Sequence, residues 1–272
     1  MSVFEISLNV PLNSGAAGTR LAWLRELSGR EEALAGSPSA ALASELVGRV
    51  LVDAPGTDGA RADVWSLSVS DRDRLVAELY SHCYGDRIEA TAPCSECRKS
   101  FALGFSLAEL LERHTPARPA SVEGPDESGN YRLADGCRFR LPTAGDERVA
   151  ASPWVADPAR TLLERCVVEG SLASSKDELE LALESLAPVL NFELPANCPH
   201  CGAAQEVPFD VASFFMSALA RERPLLMREV HCLASAYHWP HSEILALPRS
   251  ERRTYVALVL AERHPEVEGL ES

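Results

Sequence analysis

Apolar and polar positions alternate at the start of the chain, with Phe4, Ile6, Leu8 and Val10 set against Val3, Glu5, Ser7 and Asn9. A period of two is that of a strand with one buried face, so a strand is expected over residues 3–10. A polar, glycine-bearing stretch, Asn13–Thr19, follows, and Leu21, Leu24 and Leu27 then suggest a short helix. Ser37-Pro38 reads as an N-cap with proline at the first helical position, opening a helix with Leu42, Leu46 and Val50 on one face. Asp, Gly and Pro crowd residues 53–63 and predict a loop.

Ser70-x-x-Asp73 resembles a capping box, and it opens a helix that places Leu75, Val76, Leu79 and Tyr80 on one side and stops at Gly85. Arg87–Thr91 reads as a strand, and Phe101, Leu103 and Phe105 alternate as a second. Ser106-x-x-Glu109 starts a helix through Leu110 and Leu111. Residues 115–130, rich in Pro and Gly, read as a flexible loop or linker. Tyr131–Leu133 and Cys137–Leu141 pair as a hairpin around Asp135-Gly136. Thr143-x-x-Asp146 and Asp157-Pro158 are further helix starts, and residues 176–187 give another helix. Phe192 and Leu194 mark a strand, as do Val207 and Phe209. Asp210 caps a helix through Phe214, Phe215 and Leu219. Leu226, Val230, Leu233 and Tyr237 stripe a separate amphipathic helix ended by Trp239-Pro240. Ser242–Leu247 and Ser250–Arg263 are two more helices, and the tail from Pro265 is polar, acidic and loose.

Part of this pattern occurs twice. Cys94-Ser95-Glu96-Cys97 and Cys198-Pro199-His200-Cys201 stand 104 positions apart, since 198 − 94 and 201 − 97 agree. At the same offset Glu89 matches Glu193, Phe105 matches Phe209, and Leu75 and Leu79 match Leu179 and Leu183. The repeated unit is helix, strand, Cys-x-x-Cys knuckle, strand, helix.

Composition and charge then bound the protein. The chain has 272 residues, 46% apolar and 24% charged, which is the make-up of a globular protein with an ample core. Its net charge of −14 disfavours nucleic acid as a partner, because phosphate contacts need basic clusters. No run approaches the ~18 apolar residues of a membrane span. The start, Met1-Ser2-Val3-Phe4-Glu5, shows no secretory signal, so a cytoplasmic location is expected.

In such a chain, paired cysteines point to metal rather than disulfides. Cys94, Cys97, Cys198 and Cys201 would make a complete tetrahedral set for one structural Zn2+, with no coordination position left open for catalysis. The roughly 100 residues between the knuckles far exceed the ~15–20 of a compact ribbon, so a split ribbon is expected, its two repeats facing each other across a shared ion. The competing reading is two local pairs, reduced or disulfide-bonded. Cys166 and Cys232 sit among apolar helical residues and read as core side chains, while Cys83 and Cys137 have no partner motif. His200 lines the second turn, and His231, His238, His241 and His264 form no ligand pattern.

No nucleophile motif, phosphate loop or paired carboxylate stands out, so no enzyme activity is expected. Asp71, Asp73, Glu31 and Glu32 read as helix-start and surface charges. Arg221, Arg223, Arg228, Arg249, Arg252 and Arg253 read as a solvated face balanced by Glu222, Glu229, Glu243 and Glu251. A zinc-ribbon regulator binding nucleic acid through these arginines is the alternative.

Three stretches together carry a family resemblance. They are Asp86–Thr91 running into the first knuckle, Phe139–Thr143 with Asp146, and Arg228-Glu229-Val230-His231-x-Leu233-Ala234-x-Ala236-Tyr237 followed by Glu243–Leu247. This resembles the small zinc-knuckle proteins encoded with contractile injection systems and tailed-phage baseplates, and more distantly the baseplate hub assembly chaperone of T-even phages. The resemblance spans residues 70–262 and departs from the family at Ser95, where proline is expected. It implies a non-enzymatic role in assembling or completing a baseplate, with baseplate or tail proteins as partners. Phe214/Phe215 or Tyr237/Trp239 would supply exposed apolar contacts.

The expectation is therefore an α+β, mainly helical protein with a split zinc ribbon and a helical C-terminal region. Its parts are an N-terminal strand and helices (1–65), a first repeat (66–114), a linker with hairpin and helices (115–170), a second repeat (171–220) and C-terminal helices (221–272).

Overall fold

The computed structural model describes residues 7–12, 20–36, 39–52 and 63–263. Strand β1 (Ser7–Leu12) pairs antiparallel with β2 (Arg20–Arg25), from Ser7↔Arg25 to Leu12↔Arg20. The early part of the expected strand and the Asn13–Thr19 stretch lie outside the described residues. Strand β2 corrects the helix expected at Leu21–Leu27. Ala22 and Leu24 are buried while Leu21 is exposed, a period of two. Two leucine steps of three are weak evidence for a helix, and pairing with β1 overrides them.

A short helix α1 (Gly29–Glu32) opens with a full capping box between Ser28 and Glu31. Helix α2 (Ala40–Val50) is capped by Ser39, whose hydroxyl accepts from the Leu42 N–H, while Ser37-Pro38 lies outside the described residues. Strand β3 (Leu51–Val52) closes the sheet β1-β2-β3. Beyond residues 53–62, also not described, a 3-10 turn over Val64–Ser66 leads into helix α3 (Val69–Tyr84). Its cap is Ser68 rather than Ser70. Ser68-x-x-Asp71 has the same spacing, and the carboxylate of Asp73 is already taken by Arg72 and the Leu190 N–H. Leu75, Val76, Leu79 and Tyr80 are buried, and Gly85 ends the helix at φ 83, a conformation that suits glycine.

Strands β4 (Arg87–Pro93) and β5 (Ser100–Ser106) form the first hairpin, followed by α4 (Leu107–Arg113). The expected flexible linker at 115–130 is corrected next, because it contributes β6 (Val122–Glu123). Then come β7 (Tyr131–Leu133), β8 (Arg138–Phe139), α5 (Ala144–Ala150), α6 (Pro158–Cys166) and β9 (Val167–Glu169). The four strands make one sheet in the order β6-β7-β8-β9. Val122 lies opposite Leu133 and is buried, and the Ala117 N–H donates to the Ser185 carbonyl, which ties this proline-rich segment to the sheet and its covering helix. Helix α7 (Leu172–Leu186) covers the sheet with Leu179 and Leu186.

Strands β10 (Asn191–Asn197) and β11 (Ala204–Asp210) form the second hairpin. Helix α8 (Val211–Tyr237) follows as one 27-residue element, where two helices were expected. Pro224 sits inside it, at an intrinsic cost of about 3 kcal/mol or more. The buried stripe Phe215, Leu219, Leu226, Val230 and Leu233 runs past the proline without losing phase, and that burial holds the helix together. Helices α9 (His241–Ile244), shorter than expected, and α10 (Arg249–Arg263) are the last of the described elements. The tail after Arg263 lies outside the described residues.

The N-terminal half of α8 is the centre of the main core, packed on α3, α2 and the first sheet, and its C-terminal half packs on α9 and α10. Phe215 is fully buried, Phe214 packs against the core, and Trp239 stacks on Tyr237 at 4.9 Å and meets Tyr255 edge-on at 5.1 Å. These residues therefore do not form the exposed apolar faces expected of them. The solvated arginine face is corrected in part: Arg221, Arg223 and Arg228 are exposed as expected, but two others are not. Arg252 is fully buried between Glu32 and Glu229, and Arg249 is buried between Glu32 and Glu222. Glu31 and Glu32 are accordingly interior groups, not surface charges. Desolvating these charges is offset by their mutual pairing, although one buried nitrogen of Arg252, Nη1, has no hydrogen-bond partner among the described residues. No helix among the described residues is long and apolar enough to cross a membrane.

Candidate metal centre

The repeat seen as a pattern of letters recurs as a pattern of hydrogen bonds. Arg87↔Ser106 in the first hairpin becomes Asn191↔Asp210 in the second, so both register residues move by 104. In each knuckle the first cysteine N–H donates across the turn, Cys94 to the Lys99 carbonyl at 3.0 Å and Cys198 to the Ala203 carbonyl at 2.9 Å. Each cysteine carbonyl accepts from the residue four on, Arg98 and Gly202, and both of those adopt positive φ, 59 and 75. Each second strand ends in a cap, Ser106 for Glu109 and Asp210 for Ser213. Strand register and turn geometry together hold two cysteines on one side of each knuckle.

The two hairpins bring their knuckles together. The sulfurs of Cys94, Cys97, Cys198 and Cys201 all lie within 4.8 Å of one another. Cys94 Sγ is 3.6 Å from Cys201 Sγ, and Cys97 Sγ is 3.7 Å from Cys198 Sγ. A disulfide requires about 2.05 Å, and all four cysteines are free. A tetrahedron of thiolates at the ~2.3 Å bond length of zinc has an edge of about 3.8 Å, so the closest separations are those of ligands around one ion. The four cysteines could hold a metal ion, and the local pairing of each knuckle within itself is not what the structure shows.

Backbone N–H groups point at the first sulfur of each knuckle. The Cys97 N–H points at Cys94 Sγ at 3.5 Å, and the His200 N–H points at Cys198 Sγ at 3.4 Å. Mainly through the Cys97 N–H, and against burial, the Cys94 thiol is pulled down to about 6. Cys201 accepts from the Ala203 N–H, which lowers it, but contact with the Cys94 sulfur, burial and the other two sulfurs push it up to about 12. Opposite shifts within one cluster are what four crowded thiols produce when negative charge settles on one of them first. Ala92, Phe101, Ala196 and Val207 pack around the sulfurs.

Sequence reasoning missed the side chain that clasps the knuckles together. Gln205, on β11, accepts from the Ser95 N–H at 2.9 Å and donates to the Pro93 carbonyl at 3.1 Å. Ser95 is where the resemblance expected proline, and a proline there has no N–H to give. The departure at Ser95 was the available signal, although nothing in the sequence pointed to Gln205 as its partner. His200 lines its turn, with Nε2 3.3 Å from the Ser100 carbonyl of the other hairpin.

The remaining cysteines are not gathered. Burial pushes the thiols of Cys83 and Cys166 up to about 12, and that of Cys137 up as well; of these Cys166 was expected to be a core side chain. Cys232 is half-buried on α8. Compared with known proteins, the chain matches no family model, no curated protein and no solved structure.

Proposed function

We propose that the chain is a non-enzymatic assembly or structural protein built on a split zinc ribbon, in which one Zn2+ joins two distant repeats. The observation that carries this reading is the four-sulfur cluster contributed equally by two hairpins more than 100 residues apart. Four thiolates fill the coordination sphere of zinc, so the ion would act as a cross-link and not as a Lewis acid with an open position. Its partners would be baseplate or tail proteins of a contractile injection system, and that part rests on the resemblance at Asp86–Thr91, Phe139–Thr143 and Arg228–Leu247. The nucleic-acid alternative loses support, because Arg249, Arg252 and Arg253 are engaged with Glu32, Glu222 and Glu229.

Metal analysis by mass spectrometry tests the centre. About one zinc per chain is expected, and none in Cys94→Ser or Cys198→Ser. Two ions lost independently would mean separate sites completed by other ligands. No metal in protein purified without chelator would overturn the ribbon. Co-expression with the baseplate and tail proteins of a contractile injection system tests the role, and a chain that binds none of them is not an assembly factor of that machine.

A further inference from the structure

Between the two hairpins lies a cleft of about 650 Å³, within the ~300–1,000 Å³ range of binding sites. Its apolar walls come in repeat-related pairs: Ala90 with Leu194, Leu103 with Val207, and Phe105 with Phe209. The hairpins close on each other at the sulfur cluster and again where Phe105 meets Phe209 at 5.0 Å. Arg221 of α8 and Glu89 supply the charge in its lining. Glu89 has Arg87 at 3.4 Å, whereas Arg221 makes no ion pair among the described residues.

The backbone bordering the cleft is also unpaired. The Leu107 N–H to Asp86 carbonyl bond and the Cys94 N–H to Lys99 carbonyl bond fix the alternation of the β4–β5 ladder. Counting by twos from either end, the main-chain groups of Glu89, Thr91 and Pro93 point away from β5. The Pro93 carbonyl is met by Gln205, while Glu89 and Thr91 line the cleft. On the opposite wall the same count turns Glu206 and Pro208 outward, and of these only Pro208 lines the cleft. One wall therefore offers both donors and acceptors, while the other has no N–H to give where it faces the cleft.

We propose that this cleft takes an extended segment of a partner protein, which adds to the β4 edge at Glu89 and Thr91. It sets apolar side chains between Leu103, Leu194 and Val207 and a carboxylate on Arg221. Strand addition gives affinity through main-chain bonds and specificity through alternate side chains, which matches an apolar cleft with one unpaired guanidinium. The charge at Arg221 selects an acidic-apolar segment over a basic one. The proposal rests on the reading of the chain as an assembly protein and names the surface that would do the holding.

The test uses the full chain loaded with metal, titrated separately with the baseplate and tail proteins of a contractile injection system. Thr91→Pro removes the outward N–H without touching the β4–β5 ladder, and Arg221→Glu reverses the charge. Each should weaken binding by about tenfold or more, whereas Arg113→Glu on α4, exposed and outside the cleft, should leave it unchanged. Amide exchange at Glu89 and Thr91 should slow in the complex. A partner that binds wild type and both cleft variants alike, or leaves those amides unprotected, overturns the cleft while the assembly reading stands. If no such protein binds wild type, the assembly reading falls and the proposal with it.

Discussion

The hairpin β4–β5 and the hairpin β10–β11 share register, knuckle bonds and caps, but they are set differently into the protein. The first runs into the seven-residue α4, and the second into the 27-residue α8 that organises the core. The first knuckle is clasped from the other repeat by Gln205, whereas the equivalent position in the first repeat, 205 − 104 = 101, is Phe101, which packs beside the sulfurs. A repeat fixes the geometry that the ligands need, and each copy remains free to diverge where it meets the rest of the chain.

The largest expected effect erases that difference. Both knuckles serve one cluster, so Cys94→Ser and Cys198→Ser should lose metal equally and lower the melting temperature to the same extent. With free zinc at 1,000 times its dissociation constant, the lost stabilisation would be about 4 kcal/mol. The metal-free chain should keep its helical circular dichroism, because Phe105, Phe209, Phe215 and the α3–α8 packing join the repeats without the ion. A cysteine variant that loses all helical signal would show that the metal, not this core, holds the repeats together.

Exchanging the second knuckle residue separates the copies. Ser95→Pro deletes the N–H that Gln205 accepts from and should cost about 1 kcal/mol in chemical denaturation. Pro199→Ser removes no such bond and should cost less than Ser95→Pro, roughly 0.5 kcal/mol, from the added freedom of the unfolded chain. Equal effects would mean that the Gln205 clasp does not stabilise the fold.

The next difference is one of backbone alone. Arg98 and Gly202 occupy the same left-handed position, and a Cβ added at Gly202 would meet nothing within 4 Å. Gly202→Ala should therefore cost about 1 kcal/mol from conformation only, and Arg98→Gly should be neutral or gain less than about 1 kcal/mol, as relieved φ is offset by chain entropy. Denaturant melts of the two variants, read together, would show whether the first knuckle bears strain that the second avoids.

What the sequence disclosed follows from how local each signal is. The knuckles, the caps at Ser106, Thr143, Asp157 and Asp210, and the 104-residue offset are contained within a few neighbouring residues, and the structure has them where they were read. The strand at β2 was read as a helix because three leucines at a step of three outweighed the alternation, and the pairing with the neighbouring β1 that decides the choice is not written in that spacing. The continuity of α8 across Pro224 was missed, since the proline's local penalty is outweighed by a stripe formed with α3 and α10. The burial of Glu32, Arg249 and Arg252 was illegible, since residues more than 200 positions apart neutralise one another. Gln205 escaped for the same reason: its partners are Ser95 and Pro93, and no spacing rule joins them to it.

The smallest difference is electrostatic. Glu193 lies diagonally across the second hairpin from Glu206, and hydrogen bonding and repulsion from Glu206 hold its carboxyl above the usual range. The first hairpin has Glu89 but carries Ala102 at the position of Glu206, since 206 − 104 = 102. A carboxyl raised in the folded state binds its proton more tightly there than in the unfolded chain, so stability falls as pH rises through the ordinary glutamate range. Glu206→Gln removes the like charge. It should raise the melting temperature slightly at neutral pH and leave it unchanged at a pH low enough to protonate Glu193 in both states. The same gain at both pH values would mean that the substitution acts through shape or strand propensity, and the two hairpins would then not differ in charge balance.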